Sequence, residues 1–378
     1  MRFSKVLTHA ALASSSFLVA FVAIEICLRA FGVSFPSFYK VDQIRGYQLR
    51  ANTQGLWKRE GNGNVSINSS GFRGPEFTKT KPKSTFRIAV LGDSFTESLQ
   101  VNHDQTWIKL LENQLLKDQC LDPKLYENLE VMNFGVGGYG TGQALLTWEH
   151  HAIDFSPNMV LLAFYPGNDF EDNEYKPRHD RPQFFIDQSG KLAIDNSFRD
   201  TQGFKFKTSF MGSLLNEMVN RLRFLQLLNE AKNRLQISST RRESNASQSS
   251  SRPMLNSPTE TSYLLTSRII QKLSKSVKQR NASFAVVSVS LPEIYYQAEG
   301  KPNLSGPSFR QVHSISTILA RNHIFHMPLA YKFALEWSHT GKSKHGFGDA
   351  LGDGHWNVAG HQFAAEMLSK EVCALIRQ

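Results

Sequence analysis

Cysteine is scarce in this chain: Cys27, Cys120 and Cys373 are the only three among 378 residues. That excludes a small disulfide-framed domain and a cysteine-ligated zinc site. If the globular part is exported, Cys120 and Cys373 can pair; otherwise they are two buried thiols on helices. Clustered metal ligands and internal repeats are also missing. Gly135 to Gly142 is rich in glycine, but it lacks the Lys-Ser/Thr of a phosphate-binding loop and the Gly-x-Gly-x-x-Gly register of a dinucleotide site. No metal or other cofactor is expected. The net charge of +10 comes from dispersed residues such as Lys205, Lys207, Arg221, Arg223, Lys232 and Arg234. No nucleic-acid motif accompanies them, so nucleic acid is not an expected partner, and a solvated basic face near an anionic envelope is.

Long apolar runs are equally rare, with one exception. Residues 6 to 24 carry no Asp, Glu, Lys or Arg, which approaches the ~20 residues a helix needs to span a bilayer. Arg2 and Lys5 precede the run and favour a cytoplasmic N-terminus. A cleaved signal peptide competes with this reading, but cleavage after Ala20 or Ala23 would put Leu18 or Phe21 where a small residue is wanted. We therefore expect an uncleaved membrane anchor over residues 1–30, with the remainder extracytoplasmic.

What is abundant is strand–helix alternation. Residues 31–83 read as a β-rich lead-in that covers a sheet edge, and we assign it no chemistry. Strand-like runs at 86–91, 129–134, 159–165, 284–291 and 323–327 alternate with helical patterns at 106–119, 141–154, 263–280, 307–321 and 359–376. This order predicts an α/β fold, a three-layer sandwich with a central parallel sheet, over residues 84–378. An insert at 170–262 interrupts it, with a hairpin near 183–194, a helical stretch at 208–234 and expected disorder at about 236–260. Because the insert starts beside Asn168, it is either a lid over the site or a surface excursion.

Chemistry is expected at the carboxyl ends of parallel strands. The run Arg87-Ile88-Ala89-Val90-Leu91 ends at Gly92-Asp93-Ser94. The second opens into Gly135-Val136-Gly137-Gly138-Tyr139-Gly140, the third into Pro166-Gly167-Asn168-Asp169. Near the end stands Gly352-Asp353-Gly354-His355-Trp356-Asn357. These four blocks, in this order, resemble the SGNH (GDSL-like) hydrolase superfamily over residues 84–172 and 263–378. The resemblance implies Ser94 as nucleophile and His355 as base, with Ser94, Gly138 and Asn168 as oxyanion donors. It implies Asp353 as the orienting acid, with Asp349 as a substitute, because the block here is Asp-x-His and the usual form is Asp-x-x-His. The tighter Asp-x-His-Trp form is similar to the branch containing periplasmic polysaccharide O-acetyltransferases.

The resemblance implies a serine-dependent hydrolase of acyl esters, deacetylating an envelope or extracellular carbohydrate through a Ser-His-Asp triad. An O-acyltransferase using the same residues and a non-catalytic glycan-binding scaffold are the alternatives. Tyr139, Tyr165 and Trp356 neighbour the proposed residues and are read as packing before sugar stacking. His361 is read as a partly buried helix residue.

Overall fold

The structure is a computed structural model that describes residues 2–176, 178–247, 257–292, 304 and 309–378. A long helix α1 (Arg2–Ala30) leads into two hairpins, β1 (Tyr39–Asp42) with β2 (Gly46–Leu49) and β3 (Thr53–Trp57) with β4 (Gly63–Ile67). The core then alternates: β5 (Thr85–Leu91), α2 (Ser94–Glu97), α3 (Trp107–Lys117), β6 (Asn128–Asn133), α4 (Thr141–His150), β7 (Met159–Phe164) and α5 (Asp169–Asp172). The insert supplies β8 (Gln183–Ile186), β9 (Leu192–Asp195), α6 (Gln202–Thr208), α7 (Phe210–Arg221) and α8 (Arg223–Ser247). The chain closes with α9 (Glu260–Lys278), β10 (Ser283–Ser288), α10 (Arg310–Arg321), β11 (Phe325–Pro328), α11 (Leu329–Thr340) and α12 (Val358–Ile376).

Five strands form one parallel sheet in the order β11-β10-β7-β5-β6. All seven residues of β5 are buried, which is why they read as a continuous apolar run and not as an alternating one. Their side chains still alternate in destination. Ile88 and Val90 join a core with α3, α11 and α12, while Ala89 and Leu91 join the opposite core with α4, α9 and α10. The result is three layers. The connection from β5 leads to β6 on one side, and the chain then crosses back to β7 on the other. The order therefore reverses between β5 and β7, and a crevice opens at their carboxyl ends. Ser94 follows β5 and Asn168 follows β7.

Helix starts are set by local caps. Thr106 accepts from the Lys109 N–H to begin α3, and Asn357 Oδ1 accepts from the Gly360 N–H to begin α12. Residues 352–357 are therefore loop, as the Asp-x-His spacing leads one to expect. The lead-in covers the β6 edge, where Arg73 bridges to both Ile67 and Asn133.

Three elements differ from the sequence reading. The 208–234 pattern is divided among α6, α7 and α8, because Ser209 caps a new helix with its hydroxyl on the Gly212 N–H. α8 runs on through Ser247 into the stretch expected to be disordered, since extending a helix already nucleated is far easier than starting one; residues 248–256 lie outside the described residues. α11 was missed because it starts directly at Pro328, with no turn signal separating it from β11.

Cys120 and Cys373 form a disulfide that joins the turn after α3 to α12 across 253 residues of sequence. In the chain-entropy picture a loop of that size stabilises the fold by up to about 5 kcal/mol. Replacing both cysteines by serine should lower the thermal midpoint of the purified protein. The wild type should lose the same stability on reduction. An unchanged midpoint in both cases would show that the crosslink contributes nothing.

Candidate active site

β5 delivers a buried strand into a sharp turn, and the turn presents one hydroxyl. Within residues 85–101, Ser94 alone is not buried. Asp93 caps the turn, its Oδ1 accepting from the Phe95 N–H at 2.9 Å, and Ser98 ends α2 in a left-handed conformation. Opposite it, the loop before α12 brings His355 Nε2 to 2.7 Å from Ser94 Oγ.

The other face of the imidazole meets an acid the sequence did not single out. Glu60 Oε2 lies 2.5 Å from His355 Nδ1, and Glu60 Oε1 accepts from the His355 N–H at 2.8 Å. The residue is thus clamped by both carboxylate oxygens. Asp353, expected in this role, accepts from the Gly354 N–H through Oδ1 at 2.9 Å, and Glu60 holds the Nδ1 position expected for it. The physical reason is Gly354, whose lack of a side chain leaves room for an acid from another part of the chain. Asp349, the substitute, sits exposed in a short 3-10 turn. The lead-in, assigned no chemistry above, supplies the acid.

Glu60 is held in place by the turn between β3 and β4. That tip lies on the backbone that follows the nucleophile turn: the Asn62 N–H donates to Gln100 O at 3.0 Å, and the Asn64 N–H to Asn102 Oδ1 at 2.9 Å. Gly61 is at φ +68°, and a Cβ there would overlap Gln100 O, so this approach needs glycine. Gly354 is at φ +75°, and a Cβ there would overlap Glu60 Oε1. Sequence reasoning had little to find Glu60 with. One signal was available: it is the only acidic residue between Asp42 and Glu76.

The other expected donors lie on fastened loops. Tyr47 donates its hydroxyl to Gly137 O at 2.9 Å, and Arg181 Nη1 donates to Gly138 O at 2.6 Å. Glu97, with the Tyr39 hydroxyl on its Oε2 at 2.8 Å, accepts from the Gly137 N–H. Arg181 belongs to the insert, so the insert reaches Gly138, the glycine expected to donate to an oxyanion. The Ser94 N–H, the Gly138 N–H and the Asn168 side-chain amide have no hydrogen-bond partner among the described residues, and Asn168 Oδ1 is buried without one. Asp169 and Asn133 brace their own loops: Asp169 Oδ2 accepts from Tyr165 N–H at 3.0 Å, Asn133 Oδ1 from Gly135 N–H at 2.9 Å.

Electrostatics favour the protonated imidazole. Burial opposes the charge on His355, but the Glu60 hydrogen bond and the charges of Glu60, Asp93 and Glu97 outweigh it, and the pKa is raised. Burial lifts Asp93 to about 6 and Glu97 to about 7, and it lifts Asp169 with help from the Asp93 charge. His345 and His361 are each pushed down to about 3 by burial and stay neutral. His345 bonds Ser290, and His361 Nδ1 accepts from the Trp107 N–H at 3.3 Å. Trp356 and Tyr139 are core residues, 0% and 1% exposed, and offer no ring to a substrate. Among the described residues no cluster of His, Cys, Asp or Glu could hold a metal ion.

No family model and no curated protein matches the chain. Among solved structures it is similar to the acetyl xylan esterase AlAXEase (13% identity, 76% of this chain and 100% of that one, TM-score 0.40). It is also similar to the psychrotrophic esterase EstA from Pseudoalteromonas sp. (14%, 77% and 99%, TM-score 0.39). A two-domain esterase, CEX, active on acetylated mannans, gives 11%, 78% and 50%, with a TM-score of 0.39. At these scores the overlaps carry no argument about the site, which rests on its side chains.

A base must be neutral to accept a proton, so a raised His355 pKa places the acid limb of the kcat/KM profile above the ordinary histidine value of ~6.5. Glu60→Gln removes the two largest causes of the rise and leaves only Asp93 and Glu97 against burial. Its limb should move down in pH while the rate falls about 10²–10⁴-fold. Asp353→Asn should leave both nearly unchanged. A pH-rate series on the three proteins checks this, and the reverse ranking of the two variants would return the acid role to Asp353.

Proposed function

We propose that this chain is an SGNH-like serine hydrolase of acyl esters, working through Ser94, His355 and Glu60. The observation that carries the reading is the imidazole bridging the Ser94 hydroxyl at 2.7 Å and the Glu60 carboxylate at 2.5 Å. His355 Nε2 takes the Ser94 proton as Oγ bonds to the acyl carbon, and the carbonyl electron pair moves onto oxygen. The Ser94 and Gly138 N–H groups and the Asn168 amide, left uncommitted within the protein, receive that oxyanion. His355 then protonates the departing alkoxide as the tetrahedral centre collapses to an acyl-serine. Water, deprotonated by the same nitrogen, releases the acid. Glu60 holds the ring and stabilises the imidazolium throughout.

The finer reading is an O-acetylated envelope or extracellular carbohydrate as substrate, with the catalytic part outside the cytoplasm and α1 as anchor. The Asp353-Gly354-His355-Trp356 block supports the carbohydrate. The apolar span Val6–Ala30 and the Cys120–Cys373 disulfide support an anchored, oxidised location. The same block leaves open the transferase alternative, in which a sugar hydroxyl takes the place of water.

A fluorophosphonate probe should label the wild type and fail on Ser94→Ala; equal labelling removes Ser94 as nucleophile. Asn168→Ala should fold normally and lose about 10²–10³ in turnover on aryl acetates, as for one oxyanion donor. Free acetate released from acetylated glycans supports the hydrolase, whereas acetyl appearing on added glycan at its expense identifies the transferase. A reporter fused after residue 30 should lie outside the cytoplasm and stay with membranes through a high-salt wash. Release of a shortened soluble form would identify a cleaved signal instead.

A further inference from the structure

α7 leaves an apolar stripe in solvent although some of its polar groups contact the body of the protein. Glu217, itself half-exposed, pairs with Arg50 at 3.1 Å, and Asn220 Oδ1 accepts from the Ser37 N–H at 2.8 Å. Its outer side carries Phe210, Met211, Leu214, Leu215 and Met218, which are 83%, 54%, 44%, 47% and 45% exposed. Their spacing follows the helical period, so they form one continuous stripe. Phe206 on α6 is also exposed, 55%.

This stripe adjoins the anchor. Glu25 of α1 accepts from the Arg223 and Phe224 N–H groups at 3.1 and 3.0 Å, capping α8. Arg29 donates to Arg221 O at 2.7 Å, and Phe21 meets Phe224 edge to face at 5.5 Å. The uncharged run of α1 ends at Ile24, so the end of α7 lies at the level where α1 leaves the apolar layer.

Between α1, the α7–α8 junction and the β1 and β3 strands lies a cavity of about 740 Å³. Its walls hold Arg29, Lys40, Arg50, Arg221 and Arg223. Two acids face them among the described residues: Glu25 pairs with Arg29 at 2.7 Å, and Glu217 with Arg221 at 2.9 Å as well as with Arg50, which leaves the cationic charge in excess. Arg50 uses Nη1 on Glu217, while its Nε and Nη2 are buried without a partner. The Arg223 guanidinium is partly desolvated and repelled by that of Arg29, with Glu25 acting the other way. A cavity this cationic, opening beside an apolar stripe, fits an anion carrying apolar chains.

We propose that the α7–α8 junction is a lipid-docking site, in which the arginine-lined cavity takes the phosphate of an anionic phospholipid and the α7 stripe enters the adjoining acyl layer. The stripe supplies apolar area, the cavity supplies charge, and α1 holds both at the bilayer surface. The inference rests on α1 residing in the bilayer, which the salt-wash assay reads separately, and it is independent of the ester chemistry.

The test uses the full chain with Cys27→Ser in vesicles of phosphatidylcholine, with or without phosphatidylglycerol. An environment-sensitive dye is placed at Leu214→Cys, or at Gln279→Cys on the far end of α9. Nitroxide lipids should quench the dye at 214 and spare it at 279, more strongly with phosphatidylglycerol present. In detergent, short-chain phosphatidylglycerol should raise the thermal midpoint, and Arg221→Gln with Arg223→Gln should weaken that half-saturation about 30-fold while ester turnover persists. Several outcomes overturn the proposal. Equal exposure of the two dyes removes the docking face. Inorganic phosphate stabilising as well as the short-chain lipid makes the cavity a free-anion site. Crosslinking between chains through the 214 position, rising with protein density, assigns the stripe to a second copy.

Discussion

Everything distinctive about this molecule depends on one imidazole bonded at both nitrogens. In the proposed mechanism His355 acts on Ser94 only while Glu60 fixes its plane and tautomer, and Glu60 does so only while the β3–β4 tip rests on residues 99–102. Those residues follow directly from the nucleophile turn. Acid and nucleophile therefore share one platform, and the base is lowered onto it by the loop ahead of α12. The tight Asp-x-His block serves this by a different route from the expected one. Asp353 steadies the loop through the Gly354 N–H, and the missing side chain at Gly354 leaves room for an acid from elsewhere.

The surroundings set this histidine apart from its neighbours as the proposed base. His345 and His361 lie near the same Trp356 ring, with centroids at 6.5 and 5.7 Å. Both are sealed in the core and held neutral, whereas His355 faces a set of carboxylates. Burying Asp93, Glu97 and Asp169 together is unfavourable, and the molecule lessens the strain by raising their proton affinities. Whatever charge Asp93 and Glu97 keep adds to that of Glu60 in raising the proton affinity of His355, against the cost of burying it.

Much of this was legible in the sequence because it is encoded locally. β5, β6 and β7 announce themselves as buried apolar runs, and the Gly92-Asp93-Ser94 and Gly167-Asn168 turns sit directly at their ends. The parallel sheet follows from that placement, whereas the pairing of Ser94 with His355, 261 residues apart, was expected only from the family resemblance of the four blocks. Glu60 was not legible, because it lies 295 residues from its partner and no periodicity links a hairpin tip to a distant loop. The composition of α7 was visible, but the direction of its apolar face was not, since periodicity fixes which residues share a side and not what that side meets. The disulfide was an open alternative for the same reason: pairing depends on α3 and α12 lying together, and only the packed structure states that.

The distribution of the three groups along the chain also sets when reactivity first exists. A ribosome produces Glu60 early, Ser94 soon after, and His355 only 261 residues beyond the serine. In the proposed mechanism Ser94 lacks its base until the loop ahead of α12 has been made and has docked. The proposed reactivity is therefore a property of the assembled fold and of no shorter stretch of chain.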